Sequence, residues 1–246
     1  MEHTSKVAVV TGASAGIGAA TALRLAKEGF AIVLGARRRA RLNDVARACG
    51  GLALELDVTD PDSVAAFAAR VERCDVLINN AGLASGFEPV AELSEERVRT
   101  MWETNVMGVL RVTKALLPAL IEARGHIVNL GSISSFEVYP GGGGYTASKH
   151  ALRALTRTLR WELHDQAVRV TEICPGLVET EFSLVRFDGD AERAKAPYRG
   201  MQPLGAEDIA DAIAWAVTRP PHVDVDEIVI RPVAQVSATV VHREEA

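Results

Sequence analysis

Tyr145 and Lys149 stand four residues apart in a stretch with helical spacing, so one helix face presents a phenol and an ammonium together. A phenol ionises at about pH 10 and is a poor base at neutrality. A neighbouring ammonium favours the phenolate and brings proton exchange toward neutral pH. The run 125–130 reads as a strand and leads into Asn129-Leu130-Gly131-Ser132, thirteen residues before Tyr145 at its last member. The Ser132 hydroxyl suits the holding of a substrate oxygen while Tyr145 exchanges its proton, and Lys149 also suits a ribose hydroxyl. Such a set fits hydride transfer, where a cofactor carries the hydride and the protein supplies proton and position. The plainer alternative is ordinary packing of a tyrosine on a lysine along a helix.

A second cluster, Thr11-Gly12-Ala13-Ser14-Ala15-Gly16-Ile17-Gly18, follows an apolar run and opens a helical pattern. Glycines permit a tight turn and close approach of a pyrophosphate, and the free N–H groups of a helix start favour its charge. The spacing is G-x-x-x-G-x-G, and no lysine follows Gly18, so this is not a Walker A loop. A plain turn before a helix is the alternative. About 20 residues beyond such a loop, NAD-binding units carry a carboxylate for the adenosine ribose; here the count lands on Arg37 and Arg38. Guanidinium groups bind a 2′-phosphate that a carboxylate would repel, which favours NADP(H). Arg37, at the strand tip, is the expected clamp, with Ser14 adding a hydroxyl, while Arg39 and Arg41 read as a solvated helix start. Asp57 either accepts from an adenine amino group, with Val58 on the ring, or caps a turn. Asn79-Asn80-Ala81-Gly82 ends a buried strand, and its small pair leaves room for a ribose.

These residues need a frame. The 246 residues are 48% apolar, enough for one core, and carry a formal charge of −5 that offers no basic footprint for nucleic acid. Runs at 6–11, 31–34, 52–56, 75–78, 125–130, 168–173 and 227–230 read as strands. Helical patterns lie at 16–28, 38–48, 61–72, 95–123 (interrupted near Gly108 and Pro118), 145–165 and 206–218. Strands alternating with helical crossovers predict a single α/β domain over 1–246: a Rossmann-type, doubly wound parallel sheet in three αβα layers. Residues 178–204 are irregular and charged, at the sheet edge where ligands bind, and read as a substrate lid. Cys49, Cys74 and Cys174 fit neither a disulfide framework nor a zinc pattern. The polar start is too short for a signal peptide and no stretch suits a membrane span, so a cytoplasmic protein is expected. His3 and His222 read as surface, and His126, His150 and His164 need no role; no metal site and no G-x-S-x-G elbow is found.

Taken together, Thr11-Gly-x-x-x-Gly16-x-Gly18, Asn79-Asn80-Ala81-Gly82, Asn105, Ser132, Tyr145-x-x-x-Lys149 and Pro175-Gly176 resemble the classical short-chain dehydrogenase/reductase family over nearly the whole chain. The resemblance implies strand order 3-2-1-4-5-6-7, with Tyr145 as acid/base, Ser132 polarising the carbonyl and Lys149 on the ribose. It implies Asn105 holding a water in a proton relay. After Pro175-Gly176, groups near Val178 and Thr180 would hold the carboxamide. The segments 179–187, 230–235 and 241–243 resemble the group of NADP-dependent 3-hydroxy acid dehydrogenases, which includes enzymes acting on serine and allo-threonine and is related to clavulanic acid dehydrogenase. That group implies a small alcohol or carbonyl substrate and a homotetramer, with a tail at 232–246 used in assembly. The stripe Leu152, Leu155, Leu159, Leu163 serves either a subunit interface or the sheet. Arg186 or Arg193 either meets a substrate carboxylate, with Tyr139, Phe136 and Glu137 opposite and Tyr198 and Met201 as a wall, or both are solvated lid charges; Ser134 lies near the substrate or turns away. Glu179 and Glu181 do not welcome an acid, so a larger uncharged aldehyde or ketone is the alternative substrate. An NADP-binding sensor or structural protein is the non-enzyme alternative.

Overall fold

The computed structural model describes residues 5–244; His3 and the last two tail residues lie outside them. Short β-branched runs form seven strands: Val7–Thr11 (β1), Ala31–Ala36 (β2), Leu52–Glu55 (β3), Val76–Asn79 (β4), His126–Leu130 (β5), Arg169–Pro175 (β6) and Glu227–Ile230 (β7). They make one parallel sheet in the expected order β3-β2-β1-β4-β5-β6-β7. Helices cover both faces, which is why the central strands read as unbroken apolar runs.

The helices are Gly16–Lys27 (α1), Arg39–Cys49 (α2), Pro61–Ala68 (α3), Glu95–Trp102 (α4), Gly108–Ala123 (α5), Gly143–Leu163 (α6), Phe182–Arg186 (α7), Ala191–Lys195 (α8) and Ala206–Val217 (α9). One core packs Leu25, Leu42, Ile209 and Ile213 against Leu34, Ile78 and Ile173. The other packs Phe67, Leu116, Leu120, Leu159 and Leu163 against Val9, Leu77 and Ile127. The α6 leucine stripe is therefore spent inside the chain: Leu152 is also buried and Leu155 packs at the edge of that second core.

Two local features depart from the sequence expectation, and the interruption near Gly108 meets it. Pro118 does not interrupt α5. It is exposed, as is Lys114, so the carbonyl that loses its partner can bond water. The break comes earlier, as a π turn at Glu103–Met107 in which Gly108 N–H reaches back to Glu103 O. Gly108 is needed there, since a Cβ would come within 2.7 Å of Val58 Cγ2. The segment 178–204, expected as a substrate lid, is partly helical, holding α7 and α8, with Asp190 capping α8 through Glu192 N and Arg193 N. Among the described residues no helix is long and apolar enough to cross a membrane.

Candidate active site

The first βα connection builds a cradle. The chain leaves β1 at Thr11 and takes left-handed conformations at Gly12 (φ 65°) and Gly16 (φ 54°) before entering α1. A Cβ on Gly12 would lie 2.8 Å from Ala81 Cα, so the turn rests directly on the chain beyond β4. Thr11 Oγ1 accepts from Asn80 N and Ala81 N (both 3.0 Å), and Asn80 Nδ2 donates to Thr11 O (2.9 Å). Gly18 sits behind this contact, not on the cavity: a Cβ there would be 2.4 Å from Asn80 Nδ2 and 2.6 Å from Gly12 O.

Asn79 also lies away from the cavity, which corrects its expected cofactor role. As the last residue of β4 it points to the opposite face from the turn. Its Nδ2 donates to Thr113 Oγ1 (3.0 Å) and Asn129 Oδ1 (2.9 Å), and Asn129 Nδ2 donates to Thr156 Oγ1 (2.9 Å). This buried amide ladder ties β4 and β5 to α5 and α6. Asn80, one residue on, is the amide that closes the cradle.

Beyond β2 stands a group of arginines. Arg38 Nε donates to Ser14 Oγ (3.1 Å) and Arg38 Nη1 to Glu181 Oε2 (2.8 Å). Arg41 Nη1 donates to both Glu181 oxygens (2.6 and 2.9 Å), so Arg41 is not merely a solvated helix residue. Arg37 is more exposed and lies 3.7 Å from Asp57 Oδ2. Thus Arg38, not Arg37, shares the place of Ser14. Asp57 Oδ1 accepts from Thr59 N (2.9 Å) and Thr59 Oγ1 (2.7 Å), the turn-capping alternative. Partial burial would raise the Asp57 carboxyl, but the Thr59 bonds and Arg37 hold it below its usual value. Val58 lines the cavity beside it.

At the other end, α6 brings Tyr145, Ser148 and Lys149 beneath the end of β5. Tyr145, Lys149 and Ser132 are each over nine-tenths buried. Lys149 Nζ donates to Leu130 O (2.6 Å) and lies 5.8 Å from the Tyr145 ring centroid. Burial lowers its ammonium to about 8, against the nearby Glu172. Burial raises the Tyr145 phenol above its ordinary value and Tyr139 adds to this, while the Ser132 hydroxyl and the Arg186 guanidinium act the other way. Burial thus dominates, and the groups that act against it are Ser132 and Arg186, not the Lys149 expected from the sequence. Ser132 Oγ accepts from Ser134 N (3.1 Å) and donates to Pro175 O (3.5 Å), fixing the loop after β5. Asn105, in the π turn, spends its side chain on scaffolding: Oδ1 accepts from Leu83 N (2.9 Å), and Nδ2 donates to Leu83 O (2.8 Å) and Ser148 Oγ (3.0 Å). A Cβ on Gly82 would sit 3.2 Å from Asn105 Oδ1 and 3.8 Å from Lys149 Nζ, so that glycine keeps the floor open.

One cavity of about 1060 Å³ joins the two ends; Pro175, Gly176, Val178 and Thr180 line its middle and Ser134, Tyr139 and Arg186 its inner end. Arg186 is framed by rings, its guanidinium carbon 4.7 Å from the Phe87 centroid, 5.5 Å from Tyr139 and 5.9 Å from Tyr145. Nε donates to Gly86 O (3.2 Å) and Nη1 to Tyr139 Oη (3.2 Å), while Nη2 is buried with no partner. Among the described residues Arg186 pairs with no carboxylate. Arg193 stacks on Phe187 (4.8 Å) farther out. Phe136 and Glu137 do not line the cavity. Glu137 is tied to Arg231 Nη2 and Ala238 N (2.5 Å each), and Phe136 lies between Arg153 and Arg231. Met201 is likewise off the cavity, whereas Tyr198 lines it and donates to Val178 O (2.9 Å).

A short-chain dehydrogenase family model matches residues 6–189. The chain belongs to the short-chain dehydrogenase family. It is 57% identical over 235 residues to an uncharacterized oxidoreductase of Mycobacterium tuberculosis, covering 95% of this chain and 94% of the relative. It is 42% identical over 246 residues to an NADP-dependent 3-hydroxy acid dehydrogenase of Salmonella typhi, covering 96% and 99%. A solved structure, the closed form of serine dehydrogenase complexed with NADP+, superposes with a TM-score of 0.92 at 38% identity, covering 97% and 100% of the two chains.

Within this dehydrogenase, some site residues carry no local sequence signal. Gln235, in the tail, is buried and its Oε1 accepts from Leu177 N (2.8 Å), supporting the loop after β6. A Cβ on Gly176 would come 2.2 Å from that oxygen, so Pro175-Gly176 is shaped to receive the tail. Arg243 donates to Pro197 O (3.0 Å) and to Arg199 O, and Glu244 N to Gly200 O (2.8 Å). The described tail thus folds onto residues 197–200 of its own chain. Phe182, edge-on to Tyr145 at 5.6 Å, also escaped the sequence reading. Glu172, Cys174 and Glu227 cluster under the sheet, but Arg153, 2.5 Å from Glu227 and 3.7 Å from Glu172, accounts for them as an ion pair.

Proposed function

We propose that the chain is an NADP(H)-dependent oxidoreductase interconverting a 3-hydroxy acid, serine-like compounds included, with its carbonyl form. The observation that carries this reading is the buried convergence of Tyr145, Ser132 and Lys149 on a cavity that continues to the glycine cradle and to Ser14 and Arg38. The residues fit the cofactor: Gly12 and Gly16 give a left-handed cradle without side chains, backed by Ala81 and Gly82, and Arg37 and Arg38 suit a 2′-phosphate. Val58 and Asp57 bound the adenine end, and Ile17, Val178 and Thr180 the diphosphate and carboxamide. Bound NADP(H) supplies the hydride chemistry.

The protein's part is proton and position. Tyr145 Oη exchanges the proton at the substrate oxygen, and the Ser132 hydroxyl fixes that oxygen. Burial keeps the phenol protonated in the free site, which suits donation to a carbonyl; removing a proton from an alcohol needs added positive charge, which Lys149 and Arg186 are placed to give. Lys149 also suits a ribose hydroxyl. With the Asn105 side chain committed to Leu83 and Ser148, any relay water there is held by backbone freed in the π turn.

The acid half of the substrate rests on Arg186. Arg186 lines the cavity beside Tyr145 and pairs with no carboxylate among the described residues, so its uncompensated charge favours an anion. Glu181 faces Arg38 and Arg41, so it does not repel an acid at this end. The Arg186 guanidinium carbon lies 5.9 Å from the Tyr145 ring centroid, so a substrate with its carboxylate close to its hydroxyl suits both, with Ser134 and Tyr139 alongside. This favours an acid over a larger uncharged aldehyde or ketone. A sensing role would leave the set of Ser132, Tyr145 and Lys149 without purpose. The reading extends to a cytoplasmic homotetramer, supported by three free thiols and by exposed Val233, Val236 and Val240 in the tail. NADPH consumption against a panel of 3-oxo acids and uncharged ketones tests the function, and light scattering tests the assembly; no turnover of any 3-oxo acid sinks the substrate reading.

A further inference from the structure

Glu181 joins two parts of the site that no other charged pair connects among the described residues. It immediately precedes α7 and reaches across to Arg38 and Arg41 at the start of α2. Its neighbour Thr180 lies over the glycine turn, within 3.5 Å of where a Gly16 Cβ would be. Residues 180–181 therefore strap the trough between cradle and arginines. The far end of α7 carries Arg186, and its first residue, Phe182, presses on the Tyr145 ring. Glu181 thus meets the arginines, and the five-residue helix it leads into touches the reaction centre at both its first and its last residue.

We propose that Glu181 is a positioning residue through which the adenosine 2′-phosphate closes α7 over the reaction centre. The proposal rests on the NADP(H) reading above. Each half-exposed ion pair is weak alone, because two mobile side chains must be held together. The two anions repel each other directly, so the coupling runs through the arginine: once fixed by phosphate it loses less freedom on meeting Glu181, and this gain must exceed the repulsion. Sharing is possible because a guanidinium has five N–H donors, of which Arg38 uses one on Ser14 and one on Glu181. NADPH is then held by a closed strap that NADH, lacking the phosphate, engages weakly.

The test is NADPH and NADH release, followed by stopped-flow fluorescence with excess unlabelled competitor, in the wild type, Glu181→Gln, Arg41→Gln and the double variant. Arg41 lies off the cavity wall, so its replacement reports the strap with least disturbance of cofactor contacts. Each single variant should release NADPH about fivefold faster or more, the low end of common coupling energies, with NADH release changed far less. The double variant should be no faster than the faster single. Equal acceleration for both cofactors, unchanged NADPH release, slower release, or additive effects in the double variant would each overturn the proposal. Equilibrium titration of the wild type keeps the two readings apart: no preference for NADPH defeats the cofactor reading itself, whereas a clear preference with unaltered release in the variants defeats only the strap.

Discussion

Replacing Arg186 by glutamine keeps most of the side-chain volume and removes the charge. In the structure two of its nitrogens hold Gly86 and Tyr139, and the third, Nη2, is the free buried donor. A hydrogen bond to a charged group contributes about 1.5–3 kcal/mol. At about 1.36 kcal/mol per factor of ten, its loss is worth roughly 10- to 150-fold in kcat/KM. An uncharged substrate never gains that bond, so it should lose much less. The assay compares a short 3-hydroxy acid with its methyl ester, read as NADPH formation in wild type and Arg186→Gln. The acid-to-ester ratio of kcat/KM should fall by the stated factor, chiefly through KM. If both substrates lose alike, Arg186 only props the ring cage of Phe87 and Tyr139 and the carboxylate argument fails.

Other outcomes follow from the same geometry. Tyr145→Phe should lower kcat by about 10²–10⁴ while NADPH binding by fluorescence titration stays near wild type; retained turnover would remove Tyr145 from the chemistry. Arg38→Ala should weaken NADPH more than Arg37→Ala does, and neither should much alter NADH affinity, because Arg38 is the partner of Ser14; calorimetric titration decides the order. His126 is fully buried, bonded to Thr171, and burial pushes its imidazole down to about 3. The unfolded chain then binds a proton that the folded chain refuses between pH 6.5 and about 3. Stability should fall on acidification through that window, by up to about 1.4 kcal/mol per pH unit from this group. Urea midpoints of wild type and His126→Asn between pH 5 and 7 check it: parallel profiles would exclude His126.

The doubly wound parallel sheet was readable because every strand is a short apolar run and every crossover carries a helical pattern, whereas the strand order came from the family resemblance. Handedness then leaves few topologies. The reactive set was readable because Tyr145 and Lys149 share a helix and Ser132 ends a strand close in sequence. Single-residue register was not: Asn79 and Asn80 look alike in the sequence, yet alternation along β4 sends one into the amide ladder and the other to the cradle. Long-range partners were hidden for a different reason. Glu181 meets Arg38 across 143 positions and Gln235 meets Leu177 across 58, and neither end carries a local mark of the other. Among Arg37, Arg38 and Arg41, which guanidinium points inward depends on how β2 runs on to Ala36 before the chain turns.

The Gln235 support has a bearing on biosynthesis. The Leu177 N–H stays without its partner until a residue made after all seven strands has left the ribosome. A nascent or truncated chain stopped just past β7 would own a complete sheet and its cradle, yet lack the prop beneath the loop that bounds the cavity. Completion of the binding trough is in this sense delayed to the last stretch of translation, after the scaffold is already whole.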